Sequence, residues 1–325
     1  MPATVCGDPS ETFERYALGL ARRDGLRAEA GSGAWRRQML LVELARLGVH
    51  GWPSRRTLTT TGRLPEGCKP CLEGRGSNLC LTTHCNRDCF FCFNPKPRAE
   101  GMSVHGRPAR DAAHAAELLA EVRVASVGLS GGEPLLRPEL ALQVARALKA
   151  RFGTALHIDL YTNGDRLTPE LLRAMRQAGV DGLRINLAAR GYDPEPVRLA
   201  LRERMPAEVE LPVIPAHEER LQRLMEELDA MGARHLILHE LFVSGQNVDS
   251  LQRQGLTAKE QPGDPLLPWS PVSESEEAAY RLMIHALKRG LGLSVYYCSC
   301  GTQEWIAERA LARAGKPSES GSTSS

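Results

Sequence analysis

The chain has 325 residues, enough to bury one large core or two modest ones. A formal net charge of +2 gives no global cause to bind nucleic acid, which is not an expected partner. No apolar run reaches the length of a membrane span, and the opening MPATVCGDPSETFERY lacks an apolar signal core, so no membrane association and a cytoplasmic location are expected.

Helical periodicity covers residues 10–29 and 34–48, and in the second stretch Trp35, Met39, Leu40, Leu44 and Leu47 fall near one face. Arg22, Arg23, Arg27, Arg36, Arg37, Arg55 and Arg56 make this region mildly basic. That reads as a solvated helix face or, more sharply, as a docking surface for an acidic peptide or a nucleic acid. From residue 79 the pattern changes. Strands are predicted at 79–83, 124–130, 155–162, 182–188, 208–214 and 235–241. Helical patterns lie between them at 110–122, 137–151, 168–178, 194–203 and 217–231. This alternation predicts an α/β fold of parallel βαβ units with right-handed crossovers. A doubly wound sheet and a curved partial barrel share the pattern.

Residues 243–275 are too long for a passive connector and read as a lid or substrate loop. A helix near 275–290, the strand LSVYYCSC and a helix at 302–314 follow. The low-complexity end is expected to be disordered. Four regions result: 1–78, 79–242, 243–314 and 315–325.

Nine cysteines are present, six of them within residues 68–92. In a reducing compartment such clustering suggests metal ligands rather than disulfides. The segment LCLTTHCNRDCFFCFNP places Cys85, Cys89 and Cys92 on one short loop. Three thiolates can hold a four-iron cluster with one iron left open. An open position suits catalysis, whereas structural sites are closed. The loop follows a predicted strand, which puts it at the C-terminal sheet edge where such folds build their sites. A zinc site or a purely electron-carrying cluster is the competing reading. The pairs Cys68/Cys71 and Cys298/Cys300 suit a structural zinc or an auxiliary cluster if the fold brings them together, and are otherwise two unrelated buried pairs. Cys80 reads as core, and Cys6 carries no assignment.

The spacing CxxxCxxC, with Phe91 before its third cysteine, resembles the signature of the radical S-adenosylmethionine (SAM) superfamily. SGGEP follows at the end of the next strand, supplying Gly131, Gly132, Glu133 and Pro134. Then come YTNG with Thr162 and Asn163, LRINL with Arg184 and Asn186, and LPVIPAHEE with Ile214. The resemblance implies a partial (β/α)6 barrel with an N-terminal helical extension and a C-terminal strand–helix cap. It implies a [4Fe-4S] cluster on Cys85, Cys89 and Cys92, with SAM held by the other residues just named. Glu133 would complement the methionine amine. The implied chemistry is reductive cleavage of SAM to a 5′-deoxyadenosyl radical that takes a hydrogen atom from a peptide, protein or small-molecule substrate. A low-potential donor resembling flavodoxin or ferredoxin would supply the electron.

Across most of the chain, LPEGCKPCLEG, ELPVIPAHEE, LILHELFVSGQN and YYCSC resemble a largely archaeal group related to pyruvate formate-lyase activating enzyme. The stretch CNRDCFFCFNPKP departs from that group. His239, Glu240 and Asn247 are candidate substrate contacts, with a structural role the plainer reading for the histidine. Of Tyr296 and Tyr297, strand alternation sends only one inward. The competing class is a non-catalytic zinc or iron–sulfur binding or sensing protein, which has no use for the SGGEP turn.

Overall fold

Alternating apolar and polar residues in seven parallel strands decide the architecture. The computed structural model describes residues 33–52, 55–259 and 265–314; the helix expected over 10–29 and the terminal tail lie outside them. Helix α1 (Gly33–Arg46) leads into β1 (His50–Trp52), β2 (Thr57–Thr59) and the one-turn helix α2 (Cys68–Leu72). Next come β3 (Gly76–Thr82), a hairpin of β4 (Met102–Val104) and β5 (Arg107–Ala109), and α3 (Ala112–Ala120). The repeats continue with β6 (Ser126–Gly131), α4 (Pro138–Phe152), β7 (His157–Thr162) and α5 (Pro169–Ala178). They end with β8 (Gly182–Ile185), α6 (Glu195–Arg202), β9 (Ala207–Val213), α7 (Glu218–Ala230) and β10 (His235–Glu240). After these lie β11 (Phe242–Val243), α8 (Val248–Arg253), β12 (Ser270–Pro271), α9 (Ser275–Arg289), β13 (Ser294–Cys298) and α10 (Cys300–Ala314).

The main sheet runs β1-β2-β13-β10-β9-β8-β7-β6-β3-β4-β5. From β3 to β10 the parallel strands lie in chain order, and β13 joins β10 in parallel. A doubly wound sheet reverses its order where the crossovers change face. This one does not, so right-handed crossovers keep the helices on one face, and the fold is the partial (β/α)6 barrel type. The helix-side residues Leu79, Val127, Leu160, Ile185, Val209 and Leu238 join the buried helix faces in one apolar core. Local chemistry agrees. Thr168 Oγ1 accepts from Leu171 N (3.2 Å) at the start of α5, and Gly179, at φ +93°, ends it in the left-handed conformation.

The opposite, concave face is polar and covered by the N-terminal segment. Leu64, Leu72 and the half-buried Cys68 pack there against Ile237, Tyr296 and Cys298. Trp305 of α10 donates to Leu72 O (3.1 Å) and closes the cover. The N-terminal region is therefore more than a helical extension, since β2 also pairs antiparallel with β13. The first core strand starts at Gly76, ahead of the expected 79. The hairpin β4–β5 escaped the sequence pattern because each strand is only three residues long. The segment 243–275, read as a lid or substrate loop, contains the helix α8, and its strand β12 pairs with β11. Among the described residues no helix is long and apolar enough to cross a membrane.

Candidate active site

Cys85, Cys89 and Cys92 lie half-buried on the loop after β3. Cys92 N donates to Cys89 O (3.0 Å), winding the second interval into a tight turn. Arg87 N points at Cys85 Sγ (3.4 Å), and Arg98 Nη2 stands 3.9 Å from Cys92 Sγ. Donors and positive charge directed at sulfur favour the thiolate. Burial, then the neighbouring Cys92 and Cys85, push the Cys89 thiol up to about 11. Metal binding must therefore displace protons here.

The SGGEP turn meets this loop backbone to backbone. Gly132 N donates to Thr82 O (2.7 Å) and Glu133 N to His84 O (2.8 Å). A Cβ on Gly131 would lie 2.1 Å from Thr82 O, and one on Gly132 2.0 Å from His84 O. Only glycine permits that approach. Asn94 Nδ2 donates to Gly131 O, and the buried Pro134 opens a short 3-10 turn. Glu133 is fully buried. Its carboxylate accepts from Leu135 N (3.0 Å), Thr162 Oγ1 (2.8 Å) and Asn163 N (2.7 Å). These bonds tie the β6 end to the start of the loop after β7.

Asn163 Nδ2 donates to Asn86 Oδ1 (2.8 Å), linking the β7 end to the cysteine loop. Asn186 N donates to Thr162 O (2.9 Å), while its buried Oδ1 has no hydrogen-bond partner among the described residues. Phe91 and Ile214 share an apolar cluster with Leu241, Leu251 and Val272. The structure thus gathers the cysteine triplet, Phe91, the SGGEP turn, Thr162, Asn163, Asn186 and Ile214 at the C-terminal strand ends.

Arg184 is not among them. Its guanidinium is 1% exposed on the concave face and pairs with Asp159 (2.9 Å), Glu208 (3.0 Å) and Glu210 (3.2 Å). His239 pairs with Glu210 (2.8 Å) on that same face. Glu240 points the other way, beneath the helices, and accepts from Cys300 N (2.8 Å). Asn247 is buried and clamps the cysteine loop: its Nδ2 donates to Phe91 O (3.1 Å) and Phe242 O (3.1 Å), while its Oδ1 accepts from Ser244 N (2.8 Å). Each of the three thus has an internal partner in this structure. Tyr296 is the inward tyrosine, packed with Cys298.

The outer cysteines divide. Cys68, Cys71 and Cys298 come to the concave face, where Arg184 Nη1 donates to Cys68 Sγ (3.5 Å). Cys300 instead lies by Glu240, so the four-thiol set is not assembled. Among the described residues no three His, Cys, Asp or Glu side chains converge tightly enough for a single metal ion. A cubane spreads its thiolates over separate irons, so this geometry bears on zinc rather than on the triplet.

Sequence reasoning passed over Asp165, which accepts from Arg87 Nε (2.7 Å), Arg87 Nη2 (2.8 Å), Asn86 Nδ2 (2.7 Å) and Arg190 Nη1 (3.1 Å). An acid directly after YTNG and an arginine inside the cysteine loop were the available signal. The aromatic run of Phe93 tilted against Phe242 (centroids 5.2 Å) and Phe242 stacked on Trp269 (4.8 Å) was also missed, because its members are far apart in sequence.

An α/β sheet wound in one direction, with three thiols and a glycine turn at its C-terminal edge, defines a class of cluster-carrying domain. Residues 79–210 match the family model of the Radical SAM superfamily. A Methanocaldococcus jannaschii protein, described provisionally as a glycyl-radical enzyme activating enzyme, is 28% identical over 234 residues, 68% of this chain and 60% of that one. This chain therefore spans less than two thirds of that relative. The AdoMet-dependent heme synthase of Methanosarcina barkeri is 35% identical over 114 residues, 33% of this chain and 29% of that one. Among solved structures, Streptococcus suis SuiB bound to S-adenosylmethionine aligns with a TM-score of 0.49 at 12% identity, covering 88% of this chain and 60% of that one.

Proposed function

We propose that this protein is a radical SAM enzyme acting in a reducing cytoplasm on a peptide, protein or small-molecule substrate, supplied with electrons by a flavodoxin- or ferredoxin-like donor. The observation that carries this reading is the backbone junction of the SGGEP turn with the loop bearing Cys85, Cys89 and Cys92. A zinc scaffold needs no such junction. The residues suit both groups: three thiols on one loop, a glycine turn a Cβ would block, and a buried Asn186 Oδ1 without a partner among the described residues.

Cys85, Cys89 and Cys92 would hold a [4Fe-4S] cluster with one iron open. The carbonyls of the glycine turn would take the SAM amine, Asn186 a ribose hydroxyl, and Phe91 with Ile214 the adenine. When bound, the two groups together supply a 5′-deoxyadenosyl radical able to take a hydrogen atom from substrate. The protein's own part is to orient and to exclude water. Asn247 holds Phe91 in place, and the aromatic run Phe93–Phe242–Trp269 starts at the residue after Cys92.

The test is anaerobic reconstitution with iron and sulfide, then SAM and a strong reductant, with 5′-deoxyadenosine measured. About four irons per chain and formation of deoxyadenosine are expected, and Cys85→Ala should abolish both. Cleavage at the wild-type rate by that variant, or zinc alone without SAM binding, would overturn the reading.

A further inference from the structure

We propose that Asp165 is the positioning residue of the cysteine loop, holding it in a metal-ready shape before any metal binds. The inference rests on the cluster reading above. Three residues separate Cys85 from Cys89, and the side chains of two of them end on this one carboxylate. Arg87 straddles it, with Nε on Oδ2 (2.7 Å) and Nη2 on Oδ1 (2.8 Å). Asn86 Nδ2 adds a third bond (2.7 Å). A ring then closes: Asn86 Oδ1 accepts from Asn163 Nδ2 (2.8 Å), and Asn163 Oδ1 accepts from Asp165 N (3.0 Å). Arg190 anchors the hub from the loop after β8 (3.1 Å).

Cys85 therefore cannot swing without breaking a bidentate pair and a hydrogen-bonded ring. An isolated exposed ion pair stabilises little, but the Asp165 side chain is only 17% exposed and its pairing with Arg87 is two-pronged. The second interval is held separately, by Asn247 on Phe91 O.

The experiment uses the full chain, reconstituted with iron and sulfide, in wild-type, Asp165→Ala, Asp165→Asn, Arg87→Ala and doubly substituted forms. It reads the rate of iron loss to a chelator, the spectrum of the reduced cluster by electron paramagnetic resonance, and the unfolding midpoint of the metal-free protein. Asp165→Ala should lose iron about 10–100-fold faster, the usual cost of removing a group that orients metal ligands. Its spectrum should shift, and its metal-free midpoint should stay near wild type. Asp165→Asn should fall between the two, because one oxygen still accepts from Arg87. The double variant should be no worse than the worse single, because both changes remove one interaction. Wild-type iron retention by Asp165→Ala overturns the proposal, as does a lowered metal-free midpoint with unchanged iron loss, which would make the hub a plain staple. Failure of the wild-type protein to take up iron would remove the cluster reading and this one with it. A stable wild-type cluster alongside a stable Asp165→Ala cluster would remove only this one.

Discussion

Glu240 illustrates how one buried carboxylate responds to its surroundings. It lies beneath the outer helices, with Cys300 N as donor and Glu276 nearby. Burial, then the charge of Glu276, pushes it up to about 7 from an ordinary 4.5. The folded protein thus holds this proton more tightly than the unfolded chain. The associated stability is complete below 4.5, declines as pH rises toward about 7, and is gone above that. Burial opposes ionisation of Glu276 as well, but Lys259 and Arg37 outweigh it and hold that group below its ordinary range, so its own change falls outside this window. The wild-type thermal midpoint should fall between these pH values, and Glu240→Gln should flatten the fall. An unchanged slope in the variant would show that another group titrates. Nothing in LILHEL separates Glu240 from a site residue. Alternation shows that it opposes His239, but which face meets helices emerges only from packing.

At the scale of elements, the plug formed by α2 shows what glycine does in LPEGCKPCLEG. Gly67 has ordinary helical geometry at φ −68°, so any cost of a side chain there is steric. A Cβ would lie 2.2 Å from Asp159 Oδ2, an atom already fixed by Arg184 at 2.9 Å. Gly67→Ala should lower stability by about 1–3 kcal/mol in chemical denaturation, as overpacking does. Gly245→Ala, whose Cβ would meet nothing within 4 Å among the described residues, is the control and should change little. Equal effects would mean the plug yields and the concave face is loosely covered. The CxxC pair was legible as a pair, and so was its tie to the last strand, since Cys298 does meet this segment. Cys300 lies apart from the other three, near Glu240. Two residues beyond Cys298, at the start of α10, the chain has already turned toward Glu240.

Across the whole molecule, Arg184 joins strands that share no local sequence. Asp159 comes from β7, and Glu208 and Glu210 from β9; each also meets a histidine, at His157 (3.0 Å), His235 (3.1 Å) and His239 (2.8 Å). Burial alone would raise Asp159 and Glu210. Arg184 and His157 outweigh it at the first, His239 and Arg184 at the second, and both are held below the ordinary range. Arg184→Met would leave three carboxylates around an apolar side chain. Breaking such a buried set typically costs about 3–5 kcal/mol, so a large loss in urea unfolding is expected. Iron uptake by the cysteine loop should persist wherever the variant remains folded. Loss of iron binding with stability intact would return Arg184 to the strand-end site.

By itself the sequence determined the local facts of this protein. Hydrophobic periodicity placed the core strands and their helices to within a few residues, and the motifs at the strand ends carried the site because each is contiguous in the chain. Tertiary structure alone decided three things. Strand order, rather than strand content, separated a singly wound partial barrel from a doubly wound sheet. Helix packing on one face of the sheet assigned Arg184 and His239 to the covered face and Glu240 to the helix side. Long-range pairing made Asp165 a hub for Arg87, 78 positions away, and divided the outer cysteines. The physical reason is common to all three: backbone propensity and alternation act over a few residues, while burial and ion pairing depend on which distant segments share a face.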